Sequence, residues 1–197
     1  MQWAAVLIGY ILGSIPFGLL LTRAIGIDIR QVGSGNIGTT NVLRTGNKGL
    51  AAATLLLDAG KGAAAVFIGR ELGGEMAREM LGIMAGTAAF IGHLFPIWLK
   101  FRGGKGVATI LGITLAAAPL AGVIALAVWL GGALATRYSS VGGMVAAITC
   151  AVAAWWLLGP AWGAHVAAMA ALLIFMHRDN IARLRAGTES KIGQKAK

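Results

Sequence analysis

The chain has 197 residues, of which 57% are hydrophobic and 12% charged, and a mean hydropathy of +0.77. Soluble domains carry roughly 25% charged residues, so a soluble globular class is excluded. The 17 basic and seven acidic residues give a net charge of +10. That balance fits retention of Lys and Arg on the cytoplasmic side of a membrane better than nucleic-acid binding, and no nucleic-acid partner is expected.

A bilayer core takes about 20 apolar residues per helix. Residues 2–22 are uncharged and form a first span; they lack a basic leader and are followed by Arg23, as in a retained helix rather than a signal peptide. Residues 49–69 form a second span interrupted by Asp58 and Lys61, and 80–99 a third after an outer turn at 70–79. The uncharged stretch 106–136 is too long for one helix and splits at Pro119 into a short fourth span, 106–118, and a fifth, 119–136. Residues 138–176 break at Gly159-Pro160 into the sixth and seventh. The expectation is an all-α integral membrane protein with seven transmembrane helices in a single domain.

Basic residues set its orientation. Arg23, Arg30, Arg44 and Lys48 fall in the first loop, Lys100, Arg102 and Lys105 in the third, and Arg137 in the fifth. Arg178, Arg183, Arg185, Lys191, Lys195 and Lys197 fill the tail, against Arg70 and Arg78 alone on the other side. The N-terminus is therefore expected outside and the C-terminus in the cytoplasm. Cys150 lies in an apolar run and reads as an inert small hydrophobe.

Polar segments gather on that cytoplasmic side. Residues 33–44 read GSGNIGTTNVLR, and Asp58 follows Gly38 by 20 residues, imitating a dinucleotide fingerprint. That fingerprint requires a βαβ unit, and Asp58 lies in a membrane span, so the reading is rejected. Small hydroxyls and amides beside one Arg suit an oxyanion approached by backbone N–H groups, although a flexible connector has a similar composition. Gly92-His93-Leu94-Phe95-Pro96 precedes Lys100-Phe101-Arg102-Gly103-Gly104-Lys105-Gly106, where glycine amides, a Lys and a helix start resemble a phosphate site. It is not a Walker A loop, because Gly106 stands where Ser or Thr is required. The turn Arg137-Tyr138-Ser139-Ser140 equally suits plain helix capping. In the tail, His177 and Asn180 are one helical turn apart at the membrane boundary. Asp58 and Lys61, at i and i+3, fit a functional intramembrane site or a buried structural pair. His93 and His165 read as packing residues.

Together these segments resemble the bacterial acyl-phosphate:glycerol-3-phosphate acyltransferase family over nearly the whole chain. The resemblance rests on residues 33–44, Asp58-Ala59-Gly60-Lys61-Gly62, 92–96, 100–109 and 177–189. It implies an inner-membrane enzyme that moves an acyl group from acyl phosphate to the 1-hydroxyl of glycerol 3-phosphate. The product is lysophosphatidic acid, and neither acyl-CoA nor acyl carrier protein is the direct donor. Carried over, His177, Ser34 and Asn180 are expected in catalysis. Asn36, Thr40, Asn41, Arg44 and Lys61, with Gly103, Gly104, Lys105, Gly106, Ser140 and Glu189, are expected to bind substrate. Gly143 stands where the family often has a further serine, so no role is carried there. No metal or cofactor is expected; membrane lipid and contact with the acyl-phosphate-producing enzyme are. Either His177 or the departing phosphate is the base. A phosphate or organophosphate transporter is the competing class, but no internal repeat is visible and the candidate groups lie at one face.

Overall fold

A computed structural model describes residues 1–193; Lys195 and Lys197, counted above with the basic tail, lie outside the described residues. In chain order the α-helices are α1 (Gln2–Gly13), α2 (Phe17–Arg23), α3 (Thr39–Leu43), α4 (Lys48–Leu94), α5 (Val107–Ala117), α6 (Pro119–Thr136), α7 (Ser139–Leu158), α8 (Pro160–Met176) and α9 (Arg178–Arg185). Gln2–Arg23, Lys48–Leu99, Pro119–Thr136 and Ser139–Leu158 are long and apolar enough to cross a membrane. α8 and α9, bent by 53°, together form a further candidate.

α4 is folded back on itself. Gly74, at φ 55° and ψ −157°, interrupts the helical backbone, and this left-handed region is one that glycine enters without a Cβ penalty. The arms 48–73 and 75–94 then run antiparallel, with Gly69 against Leu81 and Gly86 against Val66. The reversal is a single residue rather than the ten-residue outer turn expected from the charges at 70–79. The sequence breaks at Pro119 and Gly159-Pro160 appear where expected, with each Pro in the first turn of its helix.

The first span is not continuous. Pro16 lacks an amide proton, so the helix stops at Ser14 and restarts at Phe17. In an apolar setting the freed carbonyls need donors: Trp98 Nε1 donates to Ser14 O at 2.6 Å and Lys61 Nζ to Ile15 O at 2.8 Å. Lys61 also stands 2.7 Å from Asp58 Oδ1. It braces the break in the first span, which gives the intramembrane pair a structural reason that needs no transport.

Small residues allow the helices to touch. A Cβ on Gly9 or Gly13 of α1 would fall 2.3 or 1.9 Å from the carbonyl oxygen of Ala85 or Ala89, and one on Gly112 of α5 2.0 Å from that of Ala59. Close backbone approach of this kind drives helix association where no hydrophobic effect operates. α5 has 11 residues, about 16 Å at 1.5 Å per residue, roughly half a bilayer core. Arg70 reaches its end, donating to Ala116 O at 2.9 Å and Ala117 O at 3.2 Å while pairing with Glu79 at 2.8 Å.

Candidate functional site

The loop after α2 is organised by one side chain. Asn41 Nδ2 donates to the carbonyls of Ile29, Val32 and Asn36 at 2.8–3.1 Å, and its Oδ1 accepts from Ser34 N at 3.1 Å. Expected as a substrate ligand, Asn41 has its amide fully engaged in shaping the loop. Asn36 Oδ1 accepts from Gly38 N at 2.8 Å, leaving its NH2 open. Ser34 and Arg44 are thereby set on one wall of an open cleft, together with Thr40, whose hydroxyl lies 2.8 Å from that of Ser139.

The glycine loop supplies a second wall, by a different route from the one expected. Gly103 N donates to Leu94 O at 2.9 Å and Gly104 N to His93 O at 3.0 Å, so neither amide is open to a ligand. Their role is close approach: a Cβ on Gly103 would lie 2.1 Å from His93 O, and one on Gly104 2.2 Å from His93 Nε2. Gly106 combines both constraints, with φ +88° and the Phe90 ring 2.4 Å from where its Cβ would stand. The loop so fixed delivers Lys105 and the uncapped start of α5, with Gly106, Val107 and Ala108 on the cleft lining. A helix start with open N–H groups favours an anion.

The third wall comes from the tail. Glu189 receives Ser140 Oγ at 2.9 Å, Asn180 Nδ2 at 2.5 Å and Arg183 Nε at 2.6 Å. Burial would raise its carboxyl, but these hydrogen bonds outweigh it and hold the group below its ordinary range. Ser140 and Glu189, both expected to bind substrate, therefore brace the tail against α7. Asn180 Oδ1 accepts from Lys105 Nζ, which aims the ammonium. His177, at the end of α8, donates Nδ1–H to Leu173 O at 2.8 Å, leaving the Nε2 lone pair open.

Charge in the cleft is unbalanced. Among the described residues no carboxylate lies within ion-pair distance of Arg44 or Lys105. Burial, and then the Arg183 charge, lower Lys105 to about 8, and burial lowers His177 to about 4. The structure thus brings together Ser34, Asn36, Thr40, Arg44, Lys105, Gly106, His177 and Asn180; Lys61, Gly103 and Gly104 are off the lining. Asp58, His93, Ser139, Arg183 and Trp129 also line the cleft, and none of them was among the residues expected in catalysis or substrate binding. For Arg183 a signal existed, one helical turn beyond Asn180; for Trp129, inside an apolar run, none did.

The fold and the cleft define a polytopic membrane protein that gathers cations, hydroxyls and a helix start in one cleft, a set of groups that suits an anion. The sequence model of the family described as "Glycerol-3-phosphate acyltransferase" matches residues 3–187. Curated glycerol-3-phosphate acyltransferases from Rhodopseudomonas palustris (strain BisB5) and Rhizobium etli are 54% and 57% identical, over 98% of this chain and 96% and 92% of theirs. Crystal structures of PlsY (YgiH), an integral membrane glycerol 3-phosphate acyltransferase, superpose with TM-scores of 0.91 (glycerol 3-phosphate form) and 0.89 (lysophosphatidic acid form). They are 35% and 34% identical and cover 98% of this chain, which covers 96% and 95% of theirs. The chain belongs to the glycerol-3-phosphate acyltransferase family and is an integral membrane protein.

Proposed function

We propose that this protein transfers a fatty acyl group from acyl phosphate to the 1-hydroxyl of glycerol 3-phosphate, giving lysophosphatidic acid and inorganic phosphate at the start of phospholipid synthesis. The observation that carries this reading is one cleft holding two cations, Arg44 and Lys105, that have no carboxylate partner among the described residues, beside the open start of α5. Both substrates bear phosphate, and Arg44 suits bidentate contact while Lys105 acts as a point charge.

The acceptor oxygen attacks the acyl carbon and forms the new ester C–O bond. The bond from that carbon to the phosphate oxygen breaks, and the hydroxyl proton passes to the departing phosphate. An imidazole lowered to about 4 holds a proton poorly, so His177 orients the hydroxyl through Nε2 rather than removing its proton. Asn180 keeps Lys105 against the phosphates, and Ser34 with the Thr40–Ser139 hydroxyl pair supplies neutral donors.

The same reading takes the helices as seven membrane segments of the bacterial inner membrane, with the N-terminus outside and the cleft on the cytoplasmic face. Acyl phosphate is reactive and lipid-like, so its delivery through contact with the enzyme that makes it belongs to this reading. Detergent-solubilised protein is expected to release phosphate from acyl phosphate only when glycerol 3-phosphate is added. Equal acyl transfer from acyl-CoA would overturn the assignment of donor.

A further inference from the structure

The cleft lining extends beyond the groups that suit phosphate, to Asp58, His93 and Leu55. Asp58 and His93 are 2% and 4% exposed and face each other across the two arms of α4. Lys61 Nζ and His93 Nδ1 stand 2.7 and 3.7 Å from the same carboxylate oxygen, Asp58 Oδ1. Asp58 Oδ1 and His93 Nδ1 are buried, and among the described residues neither makes a hydrogen bond. Buried polar atoms are almost always hydrogen-bonded, so an open acceptor on a cleft wall marks the place of a donor brought by the ligand.

Glu189 is the other carboxylate on the lining, and Ser140, Asn180 and Arg183 already occupy it. Arg44, Lys105 and the start of α5 answer a phosphate; none of them is a strong acceptor for an alcohol. Glycerol 3-phosphate carries two hydroxyls, and the one at C1 must face the acyl carbon. We propose that Asp58, pinned by Lys61 and His93, accepts a hydrogen bond from the C2 hydroxyl and makes the enzyme selective for a vicinal diol phosphate. This rests on the acyltransferase reading above and adds a specificity-determining residue to it. An ionised carboxylate only accepts. It therefore rewards a hydroxyl at C2, leaves a buried acceptor empty when C2 bears none, and repels a carbonyl there.

The test compares kcat/KM of the purified protein, with acyl phosphate as donor, for three acceptors. These are glycerol 3-phosphate, 3-hydroxypropyl phosphate, which lacks the C2 hydroxyl, and dihydroxyacetone phosphate, which carries a carbonyl at C2. Wild type is expected to use each analogue at least about tenfold less well. Asp58→Asn offers N–H donors to a carbonyl and is expected to narrow the gap between glycerol 3-phosphate and dihydroxyacetone phosphate by about tenfold. Equal use of glycerol 3-phosphate and 3-hydroxypropyl phosphate by wild type overturns the proposal without any variant, so poor folding of Asp58→Asn does not shield it. Absence of transfer to glycerol 3-phosphate itself sinks the acyltransferase reading instead, and this inference with it.

Discussion

His177 donates Nδ1–H to Leu173 O and is lowered to about 4 by burial, so it gains a proton only as pH falls through about 4. An inflection of wild-type kcat/KM at about pH 6 should therefore belong to the substrate phosphate, whose second pKa is about 6, and persist in His177→Gln; a step that disappears in that variant would make His177 the base. Lys105 behaves oppositely. Lowered to about 8, it is charged below that pH and loses its charge as pH rises through it, so kcat/KM for glycerol 3-phosphate should fall above about 8. Lys105→Arg should carry the plateau to higher pH, because a guanidinium stays charged. Arg44→Ala should raise KM for glycerol 3-phosphate by about tenfold to a hundredfold, the size of a lost charged hydrogen bond, as read from saturation curves. At this scale residue types were legible and partners were not. Asn41 and Ser140 have the chemistry of ligands, but only three-dimensional contacts reveal that the Ile29, Val32 and Asn36 carbonyls claim the one and Glu189 the other.

Helix limits were legible wherever a proline or glycine acts alone on the backbone, as at Pro119 and Gly159-Pro160. Hydropathy does not reveal the break at Pro16, because the residues around it are uncharged and the average runs across a break that hydrogen bonding cannot ignore. Its consequence falls on Lys61 and Trp98. Lys61→Met strands the Asp58 carboxylate and removes the donor to Ile15 O, and should cost about 3 kcal/mol. Trp98→Phe removes one hydrogen bond to Ser14 O and should cost about 1 kcal/mol. Thermal unfolding in detergent separates the two. The glycine loop shows the same limit of sequence in another form. Gly-Gly-Lys-Gly reads as open amides, yet Gly103 and Gly104 are there because His93 lies directly against them. Gly104→Ala should displace the loop and lower kcat/KM for glycerol 3-phosphate while leaving helix content unchanged by circular dichroism.

For the whole molecule, charge placement is the signal with the widest reach, and it makes a directional prediction. Native Cys150 is fully buried, so it should leave a low background for thiol labelling. Cysteine at Glu75, exposed beside the Gly74 reversal, should label from outside intact cells, and cysteine at exposed Arg185 only after permeabilisation; the opposite pattern would invert the protein in its membrane. The short α5 was legible from Pro119, whereas the bend that joins α8 to α9, and Arg70 reaching the end of α5 from a neighbouring arm, are shown by no window of sequence. One feature of the tail reaches beyond the finished structure. Glu189 ties Ser140, Asn180 and Arg183 together and lies beyond α9 in the chain, so the tie forms only after α1 to α9 have been made. A chain still being inserted thus carries Arg44 and Lys105 but not the clasp that aims the latter. Truncation before Glu189 should therefore leave Arg44 and Lys105 in place and lower kcat/KM for glycerol 3-phosphate, as read by phosphate release.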